Sequence, residues 1–146
     1  MFGMLKEKLA NASSRLSGRT DLLEATCAAI ALVAAADGDI EDEELGAALE
    51  ALTNHPTLST AFPQSQIEQC ANAMFKRAKG GAMGRIGLKK EIEQAKSKST
   101  SDDLELILAV AVDIARADGE MEPAEMKVLG EIASTLRLDL RAYLNA

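Results

Sequence analysis

Apolar residues recur at helical spacing through most of this chain, and outside the six residues 136–141 nowhere do they alternate with polar ones as a half-buried strand requires. The pattern predicts helices over roughly 21–36 and 41–53, then 63–79 and 82–97, then 102–117 and 122–136, with a short closing helix in "LRLDLRAYL" (136–144). "TNHPTLS" (53–59) reads as a loop, with His55 a plain loop residue beside Pro56. Pro63 suits the opening of the helix whose apolar side is Ile67, Cys70, Met74 and Phe75. "KGGAMG" (79–84) reads as a helix break, which the next helix follows with Ile86, Leu88, Ile92 and Ala95 inward and Lys89, Lys90, Lys96 and Lys98 outward. Ser99, Thr100 and Ser101 offer N-caps for the helix after that. The expected fold is all-α, a single domain of about seven helices.

One stretch occurs twice. "AAADGDIEDEE" (34–44) has a near copy in "ARADGEMEPAE" (115–125), 81 residues further on, and the matching extends through the flanking helices. Each copy reads as helix, tight turn, helix, so the fold should contain two pseudo-symmetric hairpins. Gly38 and Gly119 can take positive φ and stop a helix. Ile40 and Met121 then turn apolar side chains back to the core. If the copies are related by an internal two-fold, the helices that precede the turns should pack together. The two acidic turns would then meet in one negative patch.

Those turns carry the candidate chemistry. The pattern Asp-Gly-x-[Ile/Met]-x-x-x-Glu matches the second half of an EF-hand loop, but the earlier ligand positions fall on Val33 and Ala35, or on Ile114 and Arg116. It is therefore not an EF-hand. The oxygens of Asp37, Asp39 and Glu44, and of Asp118, Glu120 and Glu125, could still gather a hard divalent cation. Carboxylates without His or Cys suit Ca²⁺, Mg²⁺ or Mn²⁺ better than a structural zinc site. The competing use is structural, because acids at a helix N-terminus complement its dipole by about 0.3–1 kcal/mol each. Against that stands their density: six carboxylates in the eight residues 37–44 repel one another.

Composition narrows the classes. A chain of 146 residues with 47% hydrophobic and 27% charged residues is globular, and only 3% aromatics leave the core to Ala, Leu, Ile, Val and Met. The net charge of −7 is segmented: residues 1–20 carry +3, 21–60 carry −9, 61–100 carry +5 and 101–146 carry −6. The two acidic blocks hold the repeated turns, which would repel a phosphate backbone, so nucleic acid is not an expected partner. No stretch is long and apolar enough to span a membrane, and two cysteines make no disulfide framework, so the chain reads as cytoplasmic. Cys27 and Cys70 both fall on apolar helix faces and read as core residues. Residues 1–20 form an amphipathic segment distinct from the domain over 21–146. Phe2, Leu5, Leu9 and Leu16 share a face there with Lys6, Lys8, Arg15 and Arg19 around it, which suits a membrane surface or packing on the domain. No Ser-His-Asp, Cys-His or phosphate-loop pattern is present, so the chain does not read as an enzyme. A metal-dependent hydrolase would lack a general base beyond the ligands themselves.

"AAADGDIEDEEL" and "IARADGEMEPAEMKVLGEIASTLRLD" resemble the tellurite resistance protein TerB family, and the resemblance runs over about residues 1–143. It implies an all-helical domain that binds divalent metal at the acidic cluster. It also implies work with other tellurite-resistance or stress-complex proteins, TerC among them, peripheral to the inner membrane. The family's acidic positions fall here on Asp37, Glu41 and Glu44, and on Asp118, Glu122 and Glu125. A TerB-like domain also occurs in DnaJ-like membrane co-chaperones. Two functions follow: a divalent-metal-binding interaction module (Ca, Mg, Mn or Zn), or a metal-free scaffold whose acidic patch docks a basic partner.

Overall fold

The stretch "LLEATCAAIALVAAA" (22–36) offers almost nothing to water, and a helix built from it has to be buried on nearly every side. A computed structural model describes residues 16–38, 41–117 and 121–145, and in these the stretch lies at the centre of the molecule. The described residues form eight helices and no strand: α1 Thr20–Ala34, α2 Asp42–Asn54, α3 Pro56–Ala61, α4 Gln64–Ala78, α5 Gly81–Lys98, α6 Ser101–Ala115, α7 Pro123–Leu136 and α8 Leu140–Leu144. Between Leu22 and Val33 only Glu24 of α1 is exposed, and α4, α5, α6 and α7 all pack against this helix. α6 is the second central helix, buried from Asp103 to Ala115 except at Glu105 and Asp113. Alanines at 25, 28, 29 and 31 of α1, and at 109 and 111 of α6, let the backbones come close, while Leu22, Leu23, Ile107 and Leu108 fill the space between. Each such buried leucine or isoleucine contributes about 1.5–3 kcal/mol, an upper figure given that unfolded chains are already partly collapsed. The buried Thr26 hydroxyl donates to the Leu22 carbonyl at 2.7 Å, so the core holds no loose polar group there.

Helix ends follow their local chemistry. Thr100 caps α6, its hydroxyl accepting from the Asp103 amide at 3.3 Å. Arg19 closes the start of α1 by gripping Asp21 at 3.0 and 2.9 Å and reaching the buried Asp103 at 3.6 Å. Leu16 is buried in the core, so this end of the N-terminal segment packs on the domain. Phe2, Leu5, Lys6, Lys8, Leu9 and Arg15 lie outside the described residues. At the other end Arg137 takes the left-handed conformation (φ 59°) after α7, and the Leu138 amide reaches back to the Ala133 carbonyl at 2.8 Å. The guanidinium of Arg116 donates to the Leu144 carbonyl and holds α8 in place. α8 buries Tyr143, whose phenol is pushed above its ordinary range by that burial and then by Glu105.

Three expectations need correction. The segment over 53–59 is not simply a loop, because Pro56–Ala61 forms α3. Proline at its first position presets φ, the His55 ring accepts from the Thr57 amide, and the Ser59 and Thr60 hydroxyls bond the Pro56 carbonyl. Gly84 is not part of a helix break. The chain turns at Gly80 and Gly81 (φ 77°), and Gly84 lies inside α5 against the end of α4. Ile86 points outward, 46% exposed, because Leu88, Ile92 and Ala95 define the inner face at spacings of four and three.

Candidate functional site

The described acids that flank the two turns come together. α1 and α6, the helices that lead into them, pack side by side; α2 crosses to touch α6, and α7 crosses to touch α1. α2 therefore stands as one wall of a cleft of about 600 Å³ whose floor is α1 and α6, and the start of α7, at Glu122 and Glu125, forms its opposite edge. Ile30, Val33, Ala111, Ile114 and Ala115 supply the floor, and α2 contributes the small side chains Ala47, Ala48 and Ala51. Carboxylates rim the opening: Asp37, Glu43, Glu44 and Glu50 from one side, Glu122 and Glu125 from the other. The cleft's apolar floor was missed in the sequence. Its one local signal is the half-exposed run of alanines on α2, which has a single fully buried residue, Leu52.

The proposed ligand positions divide as follows. Asp37, Glu41, Glu44, Glu122 and Glu125 come together around the mouth, while Asp39, Asp118 and Glu120 lie outside the described residues. Glu44 records the crowding. Its carboxyl is held above the usual range, first by partial loss of water and then by Asp37, Glu41, Glu122 and Glu125. Both turns therefore act on a single side chain. In their present positions no three His, Cys, Asp or Glu side chains among the described residues are gathered tightly enough to hold a metal ion.

The two helix starts are chemically unequal. Glu122 and Glu125 form a reciprocal capping box at the head of α7, with the Glu122 amide donating to the Glu125 carboxylate at 2.9 Å. Glu41 stands at the same place before α2 and its side chain caps nothing. The second pair is thus occupied by the helix it starts, and Glu41 and Glu44 are not. Lys79 at the end of α4 leans over to Asp42 at 3.1 Å, both groups well exposed, so one cation of the basic block already answers the acidic one.

His55 is more than a loop residue. Its side chain is 10% exposed, Nδ1 accepts from the Thr57 amide, and Nε2 lies 3.0 Å from Asp113 Oδ2. With Nδ1 accepting, the neutral ring carries its proton on Nε2 and donates it to Asp113 on α6. The imidazole pins α3 to the central helix, and both of its nitrogens are engaged.

A family model described as "Tellurite resistance protein TerB" matches residues 23–146, almost the whole chain. The chain belongs to the TerB family. Searches of curated proteins and of solved structures each found no match. The TerB match begins inside α1 and takes in every element of the cleft, so the acidic mouth is part of the family's domain. No helix among the described residues is long and apolar enough to cross a membrane.

Proposed function

We propose that this TerB protein is a cation-responsive interaction module of a stress-resistance system, with the acidic mouth of the cleft as its sensor. The observation that carries the reading is the convergence of four carboxylates from two distant turns on Glu44. Oxygen donors of this kind fit Ca²⁺, Mg²⁺ or Mn²⁺ better than Zn²⁺, since the mouth holds neither His nor Cys. Glu41 and Glu44, free of capping duty, would take the ion with Asp37, and Glu122 would complete the set from the opposite edge. Asp39, Asp118 and Glu120 belong to the same turns by sequence.

A bound ion would relieve the repulsion and draw the wall and its opposite edge together. α2 is the movable wall, since only Leu52 of its thirteen residues is fully buried. The surface offered to other proteins of the resistance system, at the inner membrane or in the cytoplasm, would change with it. This is a binding role and not an enzymatic one; the ring nitrogens of His55 are both taken up structurally.

The test is thermal denaturation with and without millimolar Ca²⁺, Mg²⁺, Mn²⁺ or Zn²⁺. An ion that binds only the native state stabilises it by RT ln(1 + [L]/Kd), about 2.7 kcal/mol at a hundredfold excess over Kd. No shift with any of the four would leave the acids as caps and dipole partners alone.

One observation favours a second reading. The floor of the cleft is apolar, which an ion by itself would not cover. A basic, amphipathic segment of a protein partner would use both floor and rim without any metal. Binding that survives a chelator belongs to this reading, and binding abolished by it to the first.

A further inference from the structure

The cleft has an apolar floor and an acidic rim on both sides, and among the described residues that line it there is no Lys, Arg or His. Its volume of about 600 Å³ is in the range of sites that enclose a ligand. α2 leaves the alanines of its inner side, Ala48 and Ala51, only partly covered. Residues 1–15, outside the described residues, carry the complementary pattern in "MFGMLKEKLANASSR". Written on a helix of 3.6 residues per turn, Phe2, Leu5 and Leu9 share one face. Lys6 and Lys8 flank that face on either side, and Glu7 falls on the back. We propose that residues 2–9 occupy the cleft of their own chain, so that the protein holds this docking site closed. The proposal rests on the second reading above, in which the cleft takes a basic amphipathic segment.

Charge and reach both favour this occupant. The segment sets three bases against one acid, and the rim is acidic from the α2 side and from the start of α7. The three large apolar side chains meet the floor at Ile30, Val33, Ala111 and Ile114, while Lys6 and Lys8 reach the two sides of the rim. Leu16, buried in the core, fixes the root of the segment just ahead of α1. From Thr20 to Ile30 the helix rises about 15 Å. Residues 10–15, drawn out, span up to about 20 Å, enough to carry residues 2–9 to the floor. The tether makes this an intramolecular event, with an effective concentration that a separate partner would have to exceed. The TerB match begins at residue 23, so the segment lies ahead of the matched residues and acts on the domain behind it.

The test uses the full chain with a chelator present, so that no ion contributes. An equal mixture of unlabelled and nitrogen-15-labelled protein is treated with a carbodiimide, which joins amines to carboxylates only where they touch, then digested and weighed. Lys6 or Lys8 should be joined to Glu43, Glu44, Glu50, Glu122 or Glu125, with both peptides carrying the same isotope. Leu5→Ser with Leu9→Ser keeps the charges and should abolish these links, while circular dichroism shows the helices retained. A fluorescent peptide of residues 1–15 then reads the open cleft. It should bind the double variant about tenfold tighter than wild type, as for a cleft that is free a tenth of the time. Lys6 and Lys8 joined to no rim acid, links that persist in the double variant, or links of mixed isotope (a second copy in the cleft) would each overturn the proposal. Equal peptide binding to both proteins would overturn it while leaving the cleft a docking site. Binding to neither would end the second reading as well.

Discussion

At Gly38 the backbone sits at φ 83° and its amide closes the turn on the Ala35 carbonyl at 2.9 Å. Nothing lies within 4 Å of where a Cβ would stand, so a side chain there meets no clash and the penalty is purely conformational. Gly38→Val should cost about 1–3 kcal/mol, read as a lower denaturation midpoint with an unchanged slope. Glu44 presents the opposite case, a residue whose charge works against the fold. Because its folded pKa is raised, the folded state holds the proton more tightly, and stability falls as pH rises through the carboxylate range. Glu44→Gln should therefore melt above wild type at pH 7. The gain should vanish near pH 3, about a unit below the ordinary Glu value, where both proteins are neutral at this position. A variant that melts lower at pH 7 would mean that the helix dipole outweighs the four neighbouring carboxylates.

Between elements, the tightest constraint is the α4–α5 crossing. A Cβ on Gly84 would lie 1.7 Å from the Arg77 carbonyl oxygen, and backbone cannot rotate away. Gly84→Ala should force the two helices apart and cost about 3 kcal/mol, the upper end for overpacking. Gly87→Ala is the control. Its Cβ would meet only the Arg77 guanidinium tip at 2.7 Å, which can shift while keeping its bond to Glu91, so the loss should be smaller. Sequence could not separate these glycines, since a close crossing and a chain break are written with the same letters. It fared better where periodicity was long: six of the helices were legible to within about two residues, because fifteen-residue apolar faces leave little ambiguity. α3 was invisible for the converse reason. Six residues of Pro, Thr, Leu, Ser and Ala show no period, and the helix is held by caps and by a histidine whose partner, Asp113, is 58 positions away.

For the whole molecule, the offset of 81 implied that the helices before the turns would pack together, and α1 and α6 do. That step placed the described acids at one mouth. What the offset could not convey is the apolar floor, which exists only once α1 and α6 lie side by side. A shared mouth makes the turns interdependent. Glu122→Gln with Glu125→Gln removes charge from the second turn and leaves an amide oxygen able to keep the α7 capping box. At the proposed site, calorimetric affinity for Ca²⁺ or Mn²⁺ should fall several-fold in this variant, through the lost charge of the Glu122 ligand and the lost attraction of Glu125. Unaltered affinity there would make the turns separate sites.

Tyr143 turns the far end of the molecule into an optical probe. The chain has one tyrosine and no tryptophan, so its phenolic absorbance comes from a single ring buried beneath α8. A phenol whose proton is held more firmly in the fold than in the unfolded chain contributes stability that is intact below the ordinary value of about 10 and is lost as pH climbs past it. In an alkaline titration the phenolate band should therefore rise later than for free tyrosine and sharpen into a cooperative step. That step should coincide with loss of the helical dichroism. Without any label, absorbance would report when the C-terminal helix lets go.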